Sequence, residues 1–421
     1  MPHKVIFRKR NRRHGCLRFK PEHFGSFVVK VVILTSSTGT GHNMRARAFE
    51  DWANSPEGSQ FGMDITIHQT LEGTHQLYNV GVEIYNWIQR LAPRLHHIYW
   101  NFLERVKLLG AAKRIIGRKN FVDALKELRP DVLISTHPHL NHGFFEIAKK
   151  TLGDQLKCVT YCGELYGGYG FSRQWVNPES DCFIGAVQEA CDAAKSLSMP
   201  DDRNWVGGFL LKPPFYSGRI SEEERVRFIR EELNMDPDRF ILVLGTGANG
   251  ANNHLEKLEF IYSHGIRPQV VALCARNNLI YDAINIWDSR HPSMRVQPMR
   301  YYDKMFKLLQ CATAVVARPG TGLTSEAIYL GCPIISNGIG GLMPQEIITV
   351  KYCRKHHLGL EIKRAGELPG IIKRWMDHPE EIRAIRENLA KVKPERTPID
   401  ILAKISQIVN EGKQARGDGV G

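Results

Sequence analysis

Two glycine-rich turns, far apart in the chain, hold the residues best suited to do chemistry. The first is Ser36-Ser37-Thr38-Gly39-Thr40-Gly41-His42, directly after the apolar run Val28–Thr35. Glycines between a strand and a helix let the backbone approach a ligand closely, and the helix start beyond them offers free N–H groups to negative charge. The turn is not a P-loop, because no Gly-Lys-Ser/Thr follows. It is also a poor dinucleotide fingerprint, because Met44 stands where the third glycine belongs. His42 sits at the start of the following helix, where the helix dipole lowers an imidazole pKa and favours the neutral form that accepts a proton. A lone histidine is more often structural; its place at a strand-end turn favours the catalytic reading over that one.

The second turn is Ala317-Arg318-Pro319-Gly320-Thr321-Gly322-Leu323-Thr324-Ser325-Glu326. Its glycines and helix start suit a phosphate. Glu326 lies about one and a half turns into the helix, where a carboxylate can accept two ribose hydroxyls. It could equally be a solvated helix residue. Gly245-Thr246-Gly247-Ala248-Asn249-Gly250 is a similar turn, and Gly338–Glu346 is a loop entering a helix with Gln345 and Glu346 at its start. Such a pair can hold sugar hydroxyls, or the acid can simply stabilise the helix dipole.

The elements that must position these residues follow from the patterning. Strand-length apolar runs at Val28–Thr35, Met63–Thr70, Asp131–Ser135, Cys158–Tyr161 and Asp181–Gly185 alternate with helical segments. After Gly207-Gly208 and Pro213-Pro214 the pattern repeats at Phe240–Gly245, Gln269–Cys274, Ala312–Ala317 and Pro333–Ser336. Strand–helix alternation predicts an α/β fold of two doubly wound, Rossmann-like halves with a ligand cleft between them. The predicted boundaries are a basic arm at 1–27, a front domain at 28–211, a rear domain at 212–400 and a closing helix and tail at 401–421.

The 421 residues are 43% hydrophobic and 24% charged, which excludes a disordered chain or a disulfide-rich miniprotein. No run of about 18 apolar residues predicts a membrane-spanning helix, and the basic N-terminus lacks the apolar stretch of a secretory signal. Nine scattered cysteines without a CxxC pair fit a reduced, cytoplasmic chain. The formal charge is +13, and residues 1–30 and 86–119 carry more than all of it. Both patches would attract anionic lipid or nucleic acid. The second patch, Tyr85–Lys119, mixes Trp87 and Trp100 with Arg90, Arg94, Arg105 and Lys107. That is the composition of a helix lying on an anionic membrane surface, although a core-packed helix with a basic solvated face reads similarly.

Taken together, the Gly-x-Gly-His turn, the stretch RPGTGLTSEAIYLGCPII and the later Pro-Gln-Glu resemble glycosyltransferase family 28. Within that family the similarity is to its lipid-modifying members, over about residues 28 to 395. The resemblance implies a GT-B fold, a UDP-sugar donor as co-substrate, and inverting transfer of a hexose to a diacylglycerol-like lipid at the inner membrane face. It implies no metal or other cofactor and no nucleic acid partner; the oligomeric state stays open. By resemblance His42 is the base toward the acceptor hydroxyl. Glu326 takes the ribose, and Gly320, Thr321 and Gly322, with Thr324, form the diphosphate turn. Gln345 and Glu346 hold the donor sugar, and Tyr301 and Tyr302 cap the uracil. Gly39, Gly41, Gly247, Asn249, Arg276 and Arg318 complete the donor site. Where relatives carry Thr-Asp, this chain reads Thr160-Tyr161-Cys162-Gly163-Glu164, and Glu164 is the expected replacement for the aspartate that orients His42. Two alternatives remain at this point: a UDP-GlcNAc 2-epimerase, and a non-enzymatic protein that binds nucleic acid or anionic membrane through its basic patches.

Overall fold

The computed structural model describes residues 28–38, 41–91, 96–106, 115–245 and 253–414. Among these, twelve strands form two six-stranded sheets. The front sheet contains β1 (Val29–Thr35), β2 (Met63–Gln69), β3 (Val132–Ser135), β4 (Lys157–Cys162), β5 (Cys182–Gly185) and β6 (Asn204–Val206) in the order β2-β1-β3-β4-β5-β6. The rear sheet contains β7 (Ile241–Leu244), β8 (Gln269–Leu273), β9 (Val296–Met299), β10 (Ala314–Ala317), β11 (Ile334–Asn337) and β12 (Gly359–Ile362) in the order β12-β11-β10-β7-β8-β9.

Every pairing is parallel. A parallel sheet needs a crossover after each strand and is covered on both faces, which is why its central strands are continuous apolar runs. β3, β5, β7 and β10 are buried at every position.

The strand orders place the chemistry. In the front sheet the winding reverses between β1 and β3, so the turns after these two strands lie at a switch point. In the rear sheet it reverses between β7 and β10. Open α/β sheets bind ligands at the carboxyl ends of the strands flanking such a reversal. The His42 turn follows β1 and the Thr321 turn follows β10, so each sits at the reversal of its own sheet.

The two halves share buried side chains. One apolar cluster runs from Ile33, Phe49 and Trp175 in the front half through Phe209 and Phe215 to Val243, Ile328 and Tyr352 in the rear half. Trp52 donates its indole N–H to the Leu211 carbonyl at 2.7 Å, and the Tyr161 hydroxyl donates to the Gly208 carbonyl at 2.9 Å. These bonds seat the connecting segment on the front half. The closing helix Pro398–Gln414 crosses back: it packs on the helix Gly41–Ala53 and on β4, and its Ile401, Leu402 and Ile405 are buried there. Among the described residues no helix is long and apolar enough to cross a membrane. All eight described cysteines are buried free thiols.

Candidate active site

His42 is held by a backbone group. Its Nδ1 lies 2.6 Å from the Thr136 carbonyl oxygen at the end of β3. A carbonyl only accepts, so Nδ1 carries the proton and the lone pair is on Nε2. The predicted low pKa is present but its cause differs. Burial first, then the charge of Arg45, hold the imidazole down to about 3, against the Thr136 bond, which favours protonation. His137 packs edge-on against His42 with ring centres 4.5 Å apart, and Trp175 lies at 5.9 Å. His137 accepts from the His139 N–H through Nδ1, which leaves Nε2–H to donate to Thr38 Oγ1 at 2.7 Å. That bond holds the Thr38 side chain, and burial keeps His137 neutral as well.

The expected pairing of Glu164 with His42 is corrected. The Thr136 carbonyl occupies the nitrogen that a carboxylate would have taken. Glu164 instead lies buried near Arg45, and its Oε2 has no hydrogen-bond partner. Burial lifts its carboxyl to about 7, although the Arg45 charge pulls the other way.

The front and rear turns meet. Gly41 and Arg45 line one cavity together with Gly163, Thr321, Gly322 and Glu326. Arg45 Nη2 donates to Thr321 Oγ1 at 2.5 Å and to the Gly163 carbonyl at 3.2 Å. Thr321 opens the helix Thr321–Leu330, and a Cβ built on Gly320 or Gly322 would meet nothing within 4 Å. Local packing therefore does not demand these glycines; the open space beside them suits a ligand. Glu326 is buried against the same cavity, and burial pushes its carboxyl up to about 8, with Lys212 opposing. Thr324 is buried within the same helix.

The other rear residues are placed differently. Arg318 and Glu346 pair with each other: Nε donates to Oε1 at 3.0 Å, Nη2 bonds Oε2, and Nη1 donates to the Ile339 carbonyl at 3.1 Å. Glu346 Oε2 also accepts the Met343 N–H at 2.9 Å, which caps the helix Pro344–Lys355. Gln345 stands beside this pair, with Nε2 donating to Met343 Sδ at 3.6 Å. Tyr301 is 74% exposed, whereas Tyr302 packs against the core and its hydroxyl has no partner. Arg276 is exposed. None of these six predicted residues lines the cavity at Thr321. Gly39, Gly247 and Asn249 lie outside the described residues.

Two residues escaped the sequence reading. Arg45 reads as an ordinary helix-surface arginine, but the three-residue step from His42 that puts both on one helix face was a usable signal. His137, in the Thr-His-Pro after β3, carried the same strand-end signal as His42.

The basic aromatic stretch becomes the helices Gln76–Leu91 and His96–Val106. Leu77, Val80, Ile84 and Trp87 are all exposed, and at spacings of three and four they form one stripe. Ile98 and Phe102 are exposed on the second helix. Trp100 is half-buried. Arg94 and Lys107, and the side chains of Arg90 and Arg105, lie outside the described residues. The second helix is tied down at both ends. His97 bonds Tyr169 and, through Nε2–H, the Leu342 carbonyl of the rear half, each at 2.8 Å. Glu104 accepts from Ser172 Oγ and from the Arg173 N–H.

Comparison with known proteins agrees with this layout. No family model matches the chain. The probable monogalactosyldiacylglycerol synthase 3, chloroplastic, of Oryza sativa subsp. japonica is 23% identical over 406 residues, covering 90% of this chain and 75% of that protein. Monogalactosyldiacylglycerol synthase 1, chloroplastic, of Arabidopsis thaliana is 24% identical over 387 residues, covering 87% and 68%. Among solved structures, Acinetobacter baumannii MurG superposes with a TM-score of 0.57 at 14% identity over 91% of this chain and 99% of its own. Anabaena HepE in complex with UDP superposes at 0.54 and 13% identity, over 91% and 100%. Two facing parallel sheets, a cleft at both winding reversals and relatives of this kind make the chain a glycosyltransferase of the GT-B type, similar over most of its length to the monogalactosyldiacylglycerol synthases of glycosyltransferase family 28.

Proposed function

We propose that the chain transfers a hexose, with inversion, from a UDP-sugar to a diacylglycerol-like lipid at a membrane surface. The observation that carries this reading is the shared cavity. The helix beginning at Gly41 and the helix beginning at Thr321 both open onto it, and His42, at the first of these, keeps its lone pair on Nε2. In the reaction the acceptor hydroxyl oxygen bonds the anomeric carbon from one face and its proton goes to His42 Nε2. On the other face the bond from that carbon to the β-phosphate oxygen breaks, and the electron pair leaves with UDP. The N–H groups at the Thr321 helix start receive the growing charge. Glu326 holds the ribose, and Gln345 with Glu346 lies on the sugar side. The UDP bound by HepE and the lipid product named for the plant relatives support the donor and acceptor classes.

The test incubates the protein with UDP-Glc, UDP-Gal or UDP-GlcNAc and diacylglycerol vesicles, and measures UDP release and glycolipid formation. Lipid-dependent release of UDP is expected with one donor. Turnover of UDP-GlcNAc without lipid, giving an epimerised sugar, would favour the epimerase instead.

The exposed stripe on Gln76–Leu91 and His96–Val106 supports the membrane-facing part of the reading. An exposed apolar face of this kind suits the headgroup boundary, where burying a large apolar side chain is worth about 1.5–3 kcal/mol. Replacing Trp87 and Phe102 together by Glu should lower binding to anionic vesicles by roughly a hundredfold. Binding of UDP in solution should be unchanged. Vesicle sedimentation checks the first expectation and calorimetry the second; unchanged sedimentation would remove this surface from the reading.

A further inference from the structure

The position of Arg45 calls for an anion. Its side chain is buried, yet it makes no ion pair with a carboxylate among the described residues. Its two hydrogen bonds go to neutral oxygens, the Gly163 carbonyl in the front half and Thr321 Oγ1 in the rear half. The nearby carboxyl of Glu164 makes no hydrogen bond or ion pair with it, and its buried Oε2 bonds nothing. A guanidinium carries five N–H donors in a planar fork suited to phosphate oxygens. The space next to it is open: Gly320 and Gly322 have no atoms within 4 Å of where a Cβ would stand, and the cavity continues past Gly322 to Ser325 and Glu326. A buried cation without its own anion is costly unless a ligand supplies one.

We propose that Arg45 is the front half's contribution to the leaving group: its guanidinium, resting on Thr321 Oγ1, engages the diphosphate of the donor at the start of the Thr321 helix. This inference rests on the UDP-sugar reading above. It assigns a role that neither half can fill alone. As the bond to the anomeric carbon breaks, the electron pair moves onto the β-phosphate oxygen, and Arg45 is a charge already in place to receive it. The same helix carries His42 and this cation three residues apart, with Arg45 lining the cavity that Gly41 and Thr321 share. The two ends of the transfer are thereby held in register by one rigid element.

Two variants test this. Arg45→Ala removes the group. Gly163→Ala keeps the charge but displaces it, because the new Cβ would lie 2.2 Å from the guanidinium carbon, at the far end of a flexible side chain. Calorimetry with UDP and with uridine, on the full chain and both variants, is the measurement. Each variant should bind UDP at least tenfold more weakly and bind uridine within twofold of the parent. Turnover of Arg45→Ala should fall by roughly 10²–10³ and recover in part when free guanidinium ion is added at millimolar concentration. Equal weakening of UDP and uridine would make Arg45 a latch between the halves and overturn the proposal, as would unchanged UDP affinity. If the parent chain itself binds neither UDP nor uridine, the donor reading fails as well. If the parent binds both and Arg45→Ala does too, only the role of Arg45 is lost.

Discussion

Replacing His42 by Ala should lower turnover by roughly 10²–10⁴ while leaving UDP affinity within about twofold. The asymmetry follows from where the residue stands. His42 is held in the front half by the Thr136 carbonyl, which leaves its other nitrogen for the acceptor hydroxyl in the proposed reaction, whereas the groups proposed to bind the donor, Glu326, the Thr321 helix start and Arg45, are other residues. A change that removes an interaction made only in the transition state lowers kcat and spares ground-state binding. The pH dependence adds a second check. With its pKa near 3, His42 is already unprotonated at every pH above about 4. The parent enzyme, saturated with donor, should therefore show no loss of turnover with a midpoint at 6.5, the ordinary histidine value. Steady-state rates from pH 5 to 9 decide the matter. A parent-like rate in His42→Ala would remove the base assignment. A sharp limb at 6.5 that persists in Glu164→Gln would show that the imidazole is not shielded as the structure has it.

The doubly wound halves were legible because their central strands are unbroken apolar runs followed by glycine turns. The three strands that escaped, β6, β9 and β12, are all at sheet edges. Edge strands are half-solvated, and these are short. Asn204–Val206 is partly exposed throughout, Val296–Met299 alternates, and Gly359–Ile362 has one buried residue, so no continuous run marks them. The path of the closing helix was equally hidden. An apolar stripe over 398–414 says that one face is covered but not that the front half covers it.

At the site, the Gly41 and Thr321 helix starts were readable as local strand–turn–helix signals, and they do face one opening. What was not readable are contacts that depend on tertiary structure. The group that orients His42 is a backbone carbonyl, which no residue type announces. Arg45 finds Thr321 at a separation of 276 residues. The error over Glu164 has the same origin: it was put in the place of the relatives' aspartate by resemblance, whereas the fold gave that nitrogen to the Thr136 carbonyl.

Glu326→Ala should weaken UDP binding by roughly a hundredfold, since two ribose hydroxyls lose a charged acceptor worth about 1.5 kcal/mol each. The effect must depend on pH in a defined direction. In the empty cleft burial raises the Glu326 carboxyl to about 8, so at neutral pH it is mostly protonated. Two donated hydroxyls favour the ionised form and pull the pKa down. Binding therefore releases a proton below pH 8, and affinity should climb as pH rises from 6 to 8, by up to tenfold per unit, then level off. Uridine is the cleaner probe, because it lacks the phosphates that titrate nearby. Glu326→Gln should bind uridine more weakly than the parent at pH 8 and show no such climb. The empty protein should respond the other way. A carboxyl whose pKa is raised on folding contributes stability below its unfolded value, near 4.5, and loses it as pH rises through 8. Glu326→Gln should accordingly melt higher than the parent at pH 8 by a few degrees, and gain less at pH 5. A variant that binds uridine as the parent does, with the same pH slope, would take the ribose role away from Glu326. The combination of a more stable ligand-free protein and a weaker complex is what would separate a ligand-binding acid from a structural one, because only a ligand-binding role makes a costly buried carboxyl worth keeping.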